Sequence, residues 1–230
     1  MFIGHAALGF AAKRVAPRTS LAWLLVAPWL LDLVWPILLL LGIERVRIAP
    51  GTTAFTPLDF VWYPWSHSLA MAIVWGGLAT AAYRSTRRDR GGSWVVGGLV
   101  VSHWVLDAIV HRPDLPWAPG ISGVVGFGLW NSIPATVAVE GLLFACGLAV
   151  YGVTTRARDR RGRWGLWGLV VFLIAVYAAN LGGPPPPTPA AIAWVTLAFG
   201  AIIAPWAMWI ERHRESRSEA GGRSPREFGA

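Results

Sequence analysis

The residues best suited to chemistry in this sequence are histidines and carboxylates set inside apolar runs. In Ser102-His103-Trp104-Val105-Leu106-Asp107-Ala108-Ile109-Val110-His111, a His, an Asp and a His follow one another at intervals of four. On an α-helix they share one face, so His103 and Asp107 can ligate one ion or pair by hydrogen bond. Helical rise would carry His111 about 12 Å above His103, too far for one ion to use all three. Asp32, His67 and Glu140 stand in or at the start of other apolar runs. An ionisable group at the centre of a membrane helix costs roughly 2.5–3.5 kcal/mol, so each such residue calls for a partner or a role. Imidazole and carboxylate donors together suit a divalent metal, zinc first, with manganese and iron also compatible.

Local sequence adds detail. Pro36 cannot donate to the carbonyl of Asp32, which predicts a kink beside that carboxylate. Ser66, after Pro64-Trp65, is placed to cap the helix that His67 opens, and the positive helix end favours a neutral, metal-binding imidazole. Glu140 is the candidate general base and Arg112 the candidate holder of an anionic group. Asp59 and Asp114 read as solvated loop residues, and Cys146 as core.

The elements that must position these residues follow from composition. Of 230 residues, 55% are hydrophobic and 14% charged, which indicates a membrane protein and not a soluble domain. Runs near 20–43, 66–83, 93–110, 129–152, 164–181 and 190–210 predict about six transmembrane helices. The fold expected is an all-α polytopic bundle, one domain over 1–210, with a disordered cytoplasmic tail over 211–230. The first residues, Phe2 to Ala12, are too few to span; they predict a short re-entrant helix that delivers His5 to the other candidates, or an interfacial one that does not.

The formal charge of +8 is distributed topogenically and gives no nucleic-acid stripe. Lys13, Arg14, Arg18, Arg84 to Arg90, Arg156 to Arg163 and Arg212 to Arg226 contribute 17 of the 20 basic residues, all at alternate junctions. The positive-inside rule then predicts a multi-pass membrane protein with both termini in the cytoplasm. Loops 44–65 and 111–128 fall outside, and the candidate residues open toward them.

At these residues the chain resembles the predicted membrane-bound metal-dependent hydrolases of bacteria, over about residues 1–145. The matching pieces are Gly4-His5 with Gly9, Pro28 with Asp32, Trp65-Ser66-His67-Ser68 and Ser102-His103-Trp104-Val105-Leu106-Asp107. His111-Arg112-Pro113-Asp114-Leu115-Pro116 and Gly128-Leu129-Trp130-Asn131-Ser132, followed by Glu140, look like a subgroup signature. The family's Pro-Asp-x-Asp is replaced by Pro28-Trp29-Leu30-Leu31-Asp32, one carboxylate short, which argues for one ion. The expectation is a metallohydrolase in which Asp32, His67, His103 and Asp107 supply most ligands, with His111 and His5 nearby. A lipid or lipid-linked ester or phosphoester would be its substrate, and the sequence is silent on oligomeric state. A transporter is disfavoured, because the inner halves of the spans carry no ionisable stepping stones; a scaffold with a structural polar cluster is the remaining alternative.

Overall fold

The structure, a computed structural model, describes residues 1–217. The expected all-α membrane bundle is what these residues form. The N-terminal helix α1 (Ile3–Ala12) is followed by α2 (Leu21–Val26), a 3-10 turn (Ala27–Trp29) and α3 (Leu30–Leu40), which together make one broken apolar span. The break lies at Pro28 and Trp29, ahead of the kink expected at Pro36; Pro36 continues inside α3. After the one-turn α4 (Pro64–His67) come α5 (Leu69–Arg87), α6 (Arg90–Val110), α7 (Ile133–Thr154), α8 (Arg160–Gly182) and α9 (Pro189–Arg212).

Helix starts obey simple chemistry. Ser20, Ser68, Asp89, Ser132, Asp159 and Thr188 each precede a helix and accept a hydrogen bond from a first-turn amide. Proline follows the cap in α7 and α9, where its missing N–H costs nothing. Ser68, not Ser66, caps α5.

Five segments are long and apolar enough to cross a membrane: the broken span Leu21–Leu40, then α6, α7, α8 and α9. These fit a multi-pass membrane location. The sixth expected span, α5, has 19 residues but ends in Arg84-Ser85-Thr86-Arg87, which lowers its apolar character; it packs along α6.

The short helix α1 is enclosed by protein. Ile3, Ala6, Ala7 and Phe10 are buried, and α1 rests against α7 and α2. Two glycines permit this approach: a Cβ on Gly147 would fall 2.2 Å from the Ala7 carbonyl oxygen, and one on Gly9 2.4 Å from that of Leu24. Any side chain at either place would push the helix out.

Three short antiparallel ribbons organise the connections. β1 (Arg45–Ile48) pairs with β2 (Leu58–Trp62), setting Arg47 opposite Asp59, and β3 (Leu115–Pro116) pairs with β4 (Val124–Val125). β5 (Thr155–Ala157) pairs with β6 (Arg214–Ser216). The tail expected to be disordered from Glu211 therefore begins with the end of α9 and a strand; residues 218–230 lie outside the described residues. Cys146, expected in the core, is exposed on α7.

Candidate metal centre

Asp107 is the hub. On α6, one turn separates it from His103, whose Nε2 lies 3.0 Å from Asp107 Oδ2. His103 Nδ1 donates to the Pro28 carbonyl at 2.7 Å, in the stretch where the first span changes helix type. With its proton committed there, neutral His103 presents Nε2 as a bare lone pair, and that buried nitrogen has no hydrogen-bond partner among the described residues.

His67 is held in the same sense. Ser66 Oγ lies 2.7 Å from His67 Nδ1 and donates its proton to Glu44 Oε2 at 2.6 Å. A hydroxyl has one proton, so Ser66 accepts from Nδ1–H, leaving His67 Nε2 bare. That nitrogen lies 3.4 Å from Asp32 Oδ1 and 3.9 Å from Asp107 Oδ2. Asp32 Oδ1 is also 3.8 Å from His103 Nε2. The Asp32 side chain is 32% exposed, against 4% or less for His67, His103 and Asp107, so the cluster opens beside Asp32.

His5 and His111 close the other side. α1 brings His5 into the interior, its ring stacked on that of His103 with centroids 4.0 Å apart and its Nε2 3.1 Å from Asp107 Oδ1. The Met1 amino group also contacts Asp107. Of the two placements open for His5, the structure takes the inward one. At His111 the helix has ended: α6 stops at Val110, and His111 turns to extended backbone (φ −63°, ψ 147°). Its Nε2 lies 3.7 Å from Asp107 Oδ2, while Nδ1 pairs with Asp114 at 2.9 Å. Tyr63 donates to the same Asp114 oxygen at 2.9 Å.

Two further sequence candidates are held by other partners. Glu140 is buried, and its Oε2 accepts from the amides of Phe2 (2.8 Å) and Gly4 (3.2 Å), so it anchors the start of α1. Arg112 points into a loop network, bonded to Asp114 at 3.0 Å and to Asp59, which also takes Arg47. Burial opposes the Arg112 charge, but the Asp114 and Asp59 carboxylates raise its pKa overall. The Arg47 hydrogen bond, aided by Arg112, holds the Asp59 carboxyl below its usual value. Burial and the Asp114 charge push the Tyr63 phenol well up, so it remains a donor. Burial pushes Glu44 up, opposed by the Ser66 hydroxyl and the nearby amides. Asp59 and Asp114 are thus paired and not merely solvated. Glu44 and Tyr63 carry no signal in the sequence as supporting residues; Ser66, beside His67, and Asp114, in the string that follows His111, do.

The donor set fits a cation. Four bonds of about 2.05 Å directed at tetrahedral angles put donor atoms about 3.3 Å apart. Asp32 Oδ1, His67 Nε2, His103 Nε2 and Asp107 Oδ2 show four separations of 3.4, 3.8, 3.0 and 3.9 Å, and two sets of three donors, Asp32 with His67 and His103 and His5 with His103 and Asp107, each lie within 4.8 Å of one another. Lone pairs and carboxylates brought so close repel unless positive charge lies among them; the Met1 amino group supplies one charge at Asp107, and a cation beside Asp32, His67 and His103 would supply more.

No family model matches the chain, and no solved structure matches it. The chain is similar to a protein named bacteriochlorophyll synthase 44.5 kDa chain from Rhodobacter capsulatus, 34% identical over 90 residues. The match covers 39% of this chain and 19% of that protein, so the chain spans about a fifth of the relative it matches. These findings overturn the resemblance to metal-dependent hydrolases, and with it the hydrolase expectation: the family is not matched and the relative is named for a synthesis. The physical reason is that short His and Asp motifs specify a donor cluster, which unrelated chemistries share.

Proposed function

We propose that this chain is a multi-pass membrane protein holding one divalent cation, zinc by its donor set, among Asp32, His67, His103 and Asp107, and that the centre serves the synthesis of a membrane-borne, lipid-soluble molecule. The carrying observation is that the donors of Asp32, His67 and His103 lie within 4.8 Å of one another, with Asp107 Oδ2 3.0 Å from His103 Nε2 and 3.9 Å from His67 Nε2. His5 and His111 are further donors on the far side of Asp107. When bound, such an ion supplies a Lewis acid that polarises an oxygen of the substrate. The chain's own residues do the rest: Pro28, Ser66 and Asp114 orient the imidazoles, and the burial of the histidines excludes water.

A lipid-soluble or lipid-linked substrate is supported by surroundings. An open cleft of about 420 Å³ borders the residues that hold His111, lined by Tyr63 and Asp114 and by apolar Val61, Trp62, Ile121 and Val124. It gives an apolar chain of the substrate a place beside the site. The partial likeness to a protein named for bacteriochlorophyll synthesis supports bond formation as the reaction class. Orientation in a bacterial inner membrane, both termini cytoplasmic, is supported by the basic junctions, which the structure ties together at one end through Lys13–Glu211 (2.8 Å) and Arg158–Glu215 (3.2 Å).

Metal analysis of detergent-purified protein tests the centre: about one ion per chain is expected, and protein with no stoichiometric metal after mild purification overturns it. Mass spectrometry of lipid extracts from cells with and without the chain tests the reaction. Loss of one product with build-up of two smaller precursors supports synthesis, and identical extracts sink it.

A further inference from the structure

Glu44 lies in none of the apolar runs and touches no residue of the Asp107 cluster directly, yet it is 1% exposed and collects three hydrogen bonds. Its Oε1 accepts from the amides of Trp65 (2.8 Å) and Ser66 (2.9 Å), and its Oε2 from the Ser66 hydroxyl (2.6 Å). Ser66 is fully buried and lies 2.7 Å from His67 Nδ1. The Tyr63 carbonyl, 3.4 Å from Ser66 Oγ, is a longer and weaker acceptor than Glu44 Oε2. With Glu44 ionised, as three donors aimed at it favour, a Ser66 that donated to His67 instead would leave two oxygens bearing lone pairs facing each other at 2.6 Å.

We infer that Glu44, through Ser66, fixes the tautomer of His67, holding the proton on Nδ1 so that Nε2 faces Asp32 and Asp107 as a lone pair. Glu44 is a positioning residue: it acts on the site by setting the direction of two hydrogen bonds. The inference rests on the metal centre proposed above only for its purpose, since the direction of the hydrogen bonds follows from the protein's own atoms. Carboxylates that orient metal-bound imidazoles usually act in direct contact; here a serine hydroxyl stands between them and passes on the direction.

The arrangement makes one substitution unusually informative. In Glu44→Gln the side-chain carbonyl must stay on the Trp65 and Ser66 amides, because an NH2 there would oppose two N–H donors. The Gln NH2 then faces Ser66 Oγ and donates to it. Ser66 then turns its own proton onto His67 Nδ1, 2.7 Å away, in preference to the Tyr63 carbonyl at 3.4 Å, and the ring responds by carrying its proton on Nε2, pointing into the cluster. A nitrogen in that state cannot ligate.

The test uses full-length protein with 15N-labelled histidine, stripped of metal, at about pH 8, above the ordinary imidazole range. Ring nitrogen shifts, assigned to His67 by comparison with His67→Gln, report the tautomer without reference to activity. Wild type is expected as the Nδ1–H form and Glu44→Gln as the Nε2–H form, with zinc affinity reduced about 10–100-fold in the variant. Ser66→Thr, which keeps the hydroxyl, is expected to hold the wild-type tautomer where Ser66→Ala loses it. An Nε2–H tautomer in wild type overturns the relay, and so does an unchanged tautomer in Glu44→Gln. If Glu44→Gln fails to fold, the wild-type tautomer and the Ser66→Thr and Ser66→Ala pair still decide. Wild-type protein that shows the Nδ1–H form but takes up no zinc leaves the relay standing and sinks the metal centre, so the two failures are distinguishable.

Discussion

His103 Nδ1 lies 2.7 Å from the Pro28 carbonyl, tying the third long helix of the chain to the point where the first apolar span breaks. That bond orients the ring whose other nitrogen stands between Asp32 and Asp107. Break and hub are thus one structural unit, and loss of either ligand side should be felt by both helices.

Asp32→Asn and His103→Ala are each expected to lower metal affinity by more than about 100-fold, beyond the range usual for residues that only orient ligands. His103→Ala also frees the Pro28 carbonyl. Isothermal titration of stripped protein with zinc reads the loss; wild-type affinity in both variants would remove them from the donor set.

Glu140 anchors α1 through Oε2, while its buried Oε1 has no hydrogen-bond partner among the described residues. Glu140→Ala leaves the Phe2 and Gly4 amides without their carboxylate, at a cost of about 1–3 kcal/mol for a buried donor left unsatisfied. The expected result is a lower thermal midpoint even in metal-free detergent-solubilised protein. An unchanged midpoint would show that α1 docks without it.

Gly147 sets how closely α1 approaches α7. Gly147→Ala puts a Cβ where the Ala7 carbonyl now sits, and overpacking of this kind typically costs about 1–3 kcal/mol. Because α1 carries His5, the variant should also lose the stacking of His5 on His103, and with it part of the metal affinity. Retention of both stability and affinity would mean that the helices separate freely.

Asp59 gives the ribbon β1–β2 a pH signature. Its carboxyl is held below the ordinary value, first by the Arg47 hydrogen bond and then by Arg112. A depressed folded-state pKa stabilises fully above the unfolded value, about 3.9, and the contribution fades as pH falls through the lower folded value. The stability gap between wild type and Asp59→Asn should therefore be constant near neutral pH and shrink on acidification below about pH 4. A gap that widens there would reverse the assigned sign.

The proposed orientation is open to single-cysteine labelling. With Cys146, the one cysteine in the sequence, replaced by Ala, a cysteine at Arg158 should resist an impermeant reagent in intact cells, and one at Thr52 should react. The opposite pattern would invert the orientation and place the Asp32 opening on the cytoplasmic side.

The sequence by itself determined the membrane class, because runs of apolar residues answer directly to the thickness of a bilayer. It also determined the pairing of His103 with Asp107, since a four-residue interval on a helix is a fixed distance. What it could not decide was anything that depends on where a helix stops or breaks. His111 pairs with Asp114 because α6 ends one residue before it and the backbone turns extended, which an extrapolated helix did not show. The break at Pro28 and Trp29, not the proline beside Asp32, supplies the carbonyl that orients His103. Tertiary structure alone brought His5, from a helix too short to span, against a residue 102 positions later, through the close approach that Gly147 permits. It alone recruited Glu44, whose neighbours in sequence say nothing of Ser66 or His67. The physical reason is common to these cases: ligand chemistry is written in residue types, but the direction of a lone pair is set by hydrogen bonds between segments distant along the chain.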